Sequence, residues 1–256
     1  MLQCNLDMAG KPLDSTQVTA GLENHVLTQE ALAENLQSIK ARIENAAIIS
    51  GRDSSSITIV GAVKTVPVET LNTAFALGLN HFGENYLQEA ERKKQELTQL
   101  GVNPTWHMIG HLQSNKVKDA MALFDVVETV DSVRLAEAIA RRTVKRPMPI
   151  MLEVNVAQES SKSGFAPQEV VDIYKRLKKL PELSIIGLMT IAPEVSNPEE
   201  VRPVFRSLRQ LRDELGLREL SMGMTNDFEV AIQEGATSVR IGRALFGSRI
   251  KPLAKT

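Results

Sequence analysis

Lys64 closes the apolar run Ile57–Val63. A primary amine at the end of a buried strand can have its pKa lowered by desolvation, and it can then capture a carbonyl carbon as a Schiff base. A lysine leaving a strand end to reach water has the same local sequence, so the position alone leaves both readings open. Far along the chain, Ser221-Met222-Gly223-Met224-Thr225-Asn226 and Arg240-Ile241-Gly242-Arg243 combine small residues, hydroxyls and two guanidinium groups. Small residues let backbone N–H groups approach an anion, and Ser221 and Thr225 add hydroxyl donors. The stretch Gly242 to Gly247, followed by Ser248-Arg249, loosely echoes a phosphate loop but lacks its lysine and its long helix. His107 and His111 stand four apart, a metal-pair spacing on a helix. Here the segment reads as a strand breaking at Gly110, so no metal site is expected.

The elements that must position these residues form a rhythm. A helix opens at Thr28, with Leu32, Leu36, Ile39 and Ile43 at helical spacing, and ends near Ser50-Gly51. Apolar runs then read as strands at 57–63, 81–83, 105–109, 125–130, 149–156, 183–189, 219–222 and 237–242. Helical stretches fall between them: from Pro67, from about Asn85 to Leu100, up to Leu123, from an Asp131 cap to about Val144, from Pro167 to Leu180, from Pro198 to Leu215, and from Asn226 to Glu234. Strict alternation implies parallel strands joined by helical crossovers, and the expected fold is a single (β/α)8 barrel, α/β in class, over residues 28–256. An open doubly wound sheet would carry a glycine-rich turn after its first strand, whereas Lys64-Thr65-Val66-Pro67 stands there.

In such a barrel the active face is built from strand C-termini and the loops after them, with phosphate often bound after strands seven and eight. The helix near Asn226 is expected to point its positive end inward. Asn85 either caps the next helix or offers an amide to a ligand, Met189 would form apolar wall, and Glu159–Gly164 reads equally as a lid or a solvated turn. An amine after strand one facing an anion nest after strands seven and eight suits a cofactor with an aldehyde at one end and a phosphate at the other, pyridoxal phosphate.

Composition narrows the rest. The chain has 256 residues with 30 Lys and Arg against 31 Asp and Glu, a net charge of -1, which argues against a nucleic-acid binder. Aromatics at 4% leave few platforms for stacking bases. A single cysteine, Cys4, excludes a disulfide framework and a cysteine-rich zinc site. No apolar run approaches the roughly 18–20 residues of a membrane helix, and the N-terminus lacks the pattern of a signal peptide, so no membrane partner and a cytoplasmic location are expected. Residues 1–27 read as a poorly ordered extension.

The motifs AVKT (62–65), FGENYLQE (82–89), WHMIGHLQSNK (106–116), SKSG (161–164), GLMTI (187–191), SMGMTNDFEVAI (221–232) and VRIGRALFG (239–247) resemble the pyridoxal phosphate homeostasis protein family, over about residues 28–250. That family looks like the barrel domain of alanine racemase standing alone. The resemblance implies that Lys64 carries the cofactor as a Schiff base. It also implies that Ser221, Gly223, Met224, Gly242 and Arg243 surround the phosphate, that Arg240 approaches the pyridine nitrogen, and that Asn85 and Met189 line the ring. Two positions depart from the family pattern. Arg243 stands where many relatives carry a small hydroxyl residue, so a phosphate oxygen there would meet a backbone N–H or the guanidinium. Asn226-Asp227 stands where relatives often have two acids, which leaves that helix start less negative. The N-terminal extension has no counterpart in most of the family.

Lysine and cofactor do not by themselves make an enzyme. A racemase of this fold needs a second base on the opposite face of its substrate, which relatives supply as a tyrosine from an extra β-domain. The chain ends at Thr256, so no such domain is expected; its tyrosines are Tyr86, in the second loop, and Tyr174, on a helix away from the mouth. An arginine at the ring nitrogen would keep that nitrogen unprotonated, a poor electron sink. The expected role is a non-catalytic, monomeric protein of vitamin B6 and amino-acid homeostasis, which holds the cofactor and hands it transiently to dependent apoenzymes. The competing class is a pyridoxal-phosphate racemase or lyase, which loss of an α-proton from amino acids would reveal. An aldolase-like barrel would want a carboxylate near the lysine, and the early loops offer mainly Glu84.

Overall fold

The apolar run after Ile57 folds as β1 (Thr58–Ala62) in the computed structural model, which describes residues 27–144, 146–159 and 162–247. Seven further strands follow: β2 (His81–Glu84), β3 (Thr105–Met108), β4 (Val126–Val130), β5 (Met148–Glu153), β6 (Leu183–Met189), β7 (Glu219–Ser221) and β8 (Ser238–Ile241). Each pairs in parallel with its successor, and β8 returns to β1 with Thr58 opposite Ser238 and Gly61 opposite Ile241, closing the barrel. Parallel strands covered by helices are buried on both faces, which is why they read as apolar runs rather than alternating patterns; all five residues of β4 are buried.

The pleat sends alternate residues into the bore and outward to the helices. Arg240 and Glu128 reach across to Ser221, so their faces of β8, β4 and β7 line the bore. The outward faces pack under α1 (Gln29–Ile49), α2 (Val68–Ala76), α3 (Leu87–Gln99), α4 (Val117–Leu123), α5 (Val133–Ala140), α6 (Val170–Leu177), α7 (Arg202–Leu215), α8 (Phe228–Gln233) and α9 (Arg243–Phe246). Helix α1 buries Leu32, Leu36, Ile39, Ile43 and Ala46 at helical spacing, each large side chain worth about 1.5–3 kcal/mol on burial. Thr28 caps α1 by accepting from the Ala31 N–H at 3.2 Å. Asn35 Nδ2 donates to Leu245 O at 3.1 Å and Arg42 meets Glu229 at 2.6 Å, tying α1 to α9 and α8.

Several expected boundaries move, each for a local reason. The helix after β4 is capped by Ser132, whose Oγ accepts from the Leu135 N–H at 3.3 Å; Asp131 instead faces His111 at 3.1 Å. That helix stops at Ala140, short of Val144. Pro167 and Pro198 open short 3-10 turns that lead into α6 and α7. Strand β5 ends at Glu153 because Asn155 turns inward on its own loop, its amide donating to Glu159 O at 2.8 Å and Lys162 O at 3.2 Å. The helix after β7 begins at Phe228, two residues beyond Asn226. Most of the N-terminal extension, residues 1–26, lies outside the described residues, as do 160 and 161 of the loop after β5 and residues 248–256.

Candidate cofactor site

The described residues among those singled out at the loops lie at the C-terminal end of the barrel. Lys64 follows β1 by two residues, and its neighbour Thr65 has φ of 65°, a left-handed conformation that costs a non-glycine residue about 1 kcal/mol or more. The conformation is held from both sides: the Thr65 N–H donates to Glu89 Oε1 at 2.6 Å and its Oγ1 donates to Lys64 O at 2.6 Å. Glu89 is one arm of a buried hub. Lys93, on α3 and with no exposed surface, donates to Val63 O at 2.5 Å, Glu84 Oε1 at 2.6 Å and Glu89 Oε1 at 2.7 Å. The other oxygen of Glu84 accepts the Asn85 N–H at 2.8 Å. One ammonium therefore braces residues 63 and 65 on either side of Lys64, and Asn85 as well. Burial pushes the Glu84 carboxyl up despite the opposing pull of Lys93; at Glu89 burial is outweighed by Lys93 and the Thr65 N–H, and its carboxyl is held low. Gly110 lets the Asn85 segment lie against the third loop, since a Cβ there would stand 2.5 Å from Asn85 O.

The Lys64 ammonium sits 3.1 Å from the Tyr86 hydroxyl and 4.6 Å over its ring. Tyr86 is 53% exposed, so this contact is on the open side of the mouth. Tyr174 lies on α6, where its ring meets Lys178.

Across the mouth, Arg240 is 5% exposed. Its Nη1 donates to Ser221 Oγ at 2.6 Å and its Nη2 to Thr190 O at 2.8 Å. Burial pushes its pKa down and the charges of Glu128, Glu153 and Asp227 push back; a guanidinium stays charged under such opposition. Met189 is fully buried beside it, opposite Ser221 in the β6–β7 register.

The loops after β7 and β8 lie side by side, joined by Arg240 N–H to Gly223 O at 3.0 Å and Ala244 N–H to Thr225 Oγ1 at 3.4 Å. Gly223 has φ of 93°, and a Cβ there would stand 2.6 Å from Ala231 Cβ, so only glycine fits. The backbone N–H groups of Gly223, Gly242 and Arg243 have no acceptor among the described residues. Two expected donors are already engaged: the Met224 N–H donates to Asp227 Oδ1 at 2.6 Å, and the single Ser221 proton goes to Glu128 Oε2 at 2.5 Å. Arg243 is exposed and makes no ion pair among the described residues.

Sequence reasoning missed three groups here. Lys93 stands between Arg92 and Lys94, and only its helical phase with Ala90 and Leu97 marks it as buried. Glu128 shares a strand face with Val126 and Val130, the signal of a carboxylate in the bore. Glu153 ends β5 in register with Met189, 7% exposed, and makes no side-chain hydrogen bond among the described residues; burial, then the Asp131 charge, push its pKa up to about 6. His107 and His111 go to different partners: His107 bonds Glu128 inside the bore at 2.7 Å, and His111 meets Asp131 at the rim.

Residues 27–250 match the family of the alanine racemase N-terminal domain. The pyridoxal phosphate homeostasis protein of Aquifex aeolicus is 43% identical over 224 residues, covering 84% of this chain and 97% of the relative. Its namesake in Pseudomonas aeruginosa is 43% identical over 222 residues, covering 85% and 96%. Among solved structures, PipY of Synechococcus elongatus with PLP bound is 35% identical with a TM-score of 0.74, covering 84% of this chain and all of that one. A closed eight-stranded parallel barrel, the residues gathered at its mouth and these near full-length matches lead to one assignment: the chain belongs to the pyridoxal phosphate homeostasis protein family.

Proposed function

We propose that this protein binds pyridoxal phosphate covalently through Lys64 and serves cofactor homeostasis as a carrier rather than as an enzyme, acting as a cytoplasmic monomer that passes the cofactor transiently to dependent apoenzymes. The observation that carries the reading is the meeting, at one barrel mouth, of an amine, a buried guanidinium and backbone N–H groups without an acceptor among the described residues. When bound, pyridoxal phosphate supplies an aldehyde that a primary amine captures reversibly.

The donor set fits the three handles of that molecule. Lys64 offers the amine, and the hub at Lys93 fixes the backbone on both sides of it. Arg240 keeps N–H donors beyond those given to Ser221 and Thr190, suited to an unprotonated ring nitrogen. The N–H groups of Gly223, Gly242 and Arg243, without an acceptor among the described residues, suit a phosphate. At Gly242, φ is -114° and a Cβ would meet only Ala62 at 3.5 Å, so packing does not require glycine there. The missing side chain instead leaves the N–H approachable. Met189, buried at the end of β6, and Asn85, half-buried after β2, would serve as wall and amide beside the ring.

The test is mass spectrometry after borohydride reduction of the full-length protein with pyridoxal phosphate. The expected result is one cofactor-sized adduct on Lys64 and none on a Lys64→Ala protein. An adduct of undiminished yield in Lys64→Ala would overturn the assignment.

A further inference from the structure

A line of polar side chains crosses the bore of the barrel, and the carrier role uses only its far end. His81 Nδ1 lies 3.0 Å from His107 Nε2; His107 Nδ1 lies 2.7 Å from Glu128 Oε1; Glu128 Oε2 accepts from Ser221 Oγ at 2.5 Å; and Ser221 Oγ accepts from Arg240 Nη1 at 2.6 Å. These contacts join β2, β3, β4, β7 and β8. Glu128 has no exposed surface.

Proton bookkeeping gives the line a direction. Arg240 can only donate, so Ser221 Oγ must accept from it and send its own proton elsewhere. Glu128 Oε2 takes that proton, and Glu128 Oε1 takes the Nδ1 proton of His107. Beyond it, His107 Nε2 and His81 Nδ1 share one further hydrogen bond at 3.0 Å. Two donors, the Ser221 hydroxyl and the His107 ring, therefore point toward one carboxylate. Burial alone would push that carboxyl up, but the His107 hydrogen bond and charge, with Arg240 and Ser221, outweigh it and hold it low. Its nearer oxygen lies 4.0 Å from Arg240 Nη1.

A buried carboxylate that merely filled space would be costly against an apolar side chain of the same size. This one sits where it controls a guanidinium. We propose that Glu128 is a positioning residue for Arg240: acting through Ser221, its carboxylate fixes where the guanidinium points and balances its charge, while His107 and His81 hold the carboxylate in turn. The inference rests on the proposed placement of Arg240 beside the ring nitrogen. Other charged groups face the same place. Arg240 also feels Glu153 from β5 and Asp227 from the loop after β7, and Glu128 feels His107 from β3.

The experiment follows the absorbance of pyridoxal phosphate bound to the full-length protein from about pH 5 to about pH 9, with circular dichroism on each variant. With Glu128 neutral, the Arg240 charge is no longer balanced and bears more strongly on the ring, which disfavours the protonated chromophore. Glu128→Gln should therefore move the midpoint of the spectral transition to lower pH by about one unit or more. Glu128→Asp, which keeps the charge but retracts it, should move it less in the same direction, and this variant serves if Glu128→Gln does not fold. In an Arg240→Gln background most of the shift should vanish, because the carboxylate acts through that guanidinium. Unmoved midpoints alongside a lowered melting temperature would mark a merely structural residue and overturn the inference, as would a shift of full size without Arg240. A parent protein that shows no bound-cofactor absorbance would refute the carrier reading, whereas parental absorbance with unmoved midpoints refutes this inference alone.

Discussion

Replacing Lys93 by Met removes a cation with no exposed surface from between Glu84, equally buried, and Glu89. Breaking a buried ion pair by deleting one partner costs about 3–5 kcal/mol, because the other charge is left uncompensated. Against a typical domain stability of about 5–15 kcal/mol the variant still folds. Its melting temperature should fall by about 6–20 °C, at roughly 2–4 °C per kcal/mol for a chain of this size. The pH dependence supplies a second readout. The Glu84 carboxyl is already pushed up by burial, and loss of Lys93 removes the main opposing influence. A carboxyl whose folded pKa is raised contributes stability at low pH and loses it as pH rises through the folded value. The deficit of Lys93→Met should thus narrow at about pH 5 relative to about pH 8. Adding Glu84→Gln should recover most of the loss at the higher pH by removing the stranded charge. Urea unfolding followed by circular dichroism, without cofactor, measures all of this. A cost under about 1 kcal/mol, typical of exposed pairs, or a double variant no better than the single, would refute the hub.

The two glycines of the proposed anion nest should separate folding from binding. Gly223→Ala forces a side chain onto φ of 93° and against Ala231, and should cost about 1–3 kcal/mol or more in thermal unfolding. Gly242→Ala should stay within about 0.5 kcal/mol of the parent in stability. It should nevertheless weaken retention of pyridoxal phosphate about tenfold in equilibrium dialysis, the loss of roughly one charge-assisted hydrogen bond; equal affinities would remove Gly242 from the nest. Glu153, its pKa up to about 6, contributes stability at low pH that is lost as pH rises through that value. Urea midpoints of the parent should therefore fall relative to Glu153→Gln between about pH 5 and pH 7, and parallel profiles would contradict the burial and Asp131 effects assigned to it.

How far the sequence reaches is set by which interactions are local. The eight strands were legible because a parallel strand covered on both faces must be apolar along its length, and because each run here ends where polar residues begin, as at Val63-Lys64. The gathering of Lys64, Asn85, Ser221, Gly223, Arg240 and Gly242 at one end followed from topology, since strand C-termini share a rim in this fold. Details that depend on a distant partner were not legible. Asp131 and Ser132 are both good caps, and only His111 across the rim decides that Ser132 caps. Thr65 takes a left-handed conformation because of Glu89, 24 residues on.

The same distinction explains why net charge says so little about this site. A total of -1 describes the balance of 30 cations and 31 anions, most of them solvated. The charges that matter are two buried sets. Lys93 pairs with Glu84 and Glu89 beside the Lys64 segment, and Arg240 lies 4.0 Å from Glu128 inside the bore. Because each buried cation meets a buried carboxylate, neither adds much to the far field, and an incoming molecule feels mainly what is left uncompensated at the rim. Among the described residues that remainder is the Lys64 amine, the N–H groups after β7 and β8, the exposed Arg243 and, of opposite sign, Glu153. Pairing below leaves an amine and anion donors at one rim, and this is the arrangement on which the proposed preference for an anion that also carries a carbonyl rests, one that neither the composition nor any single motif contains.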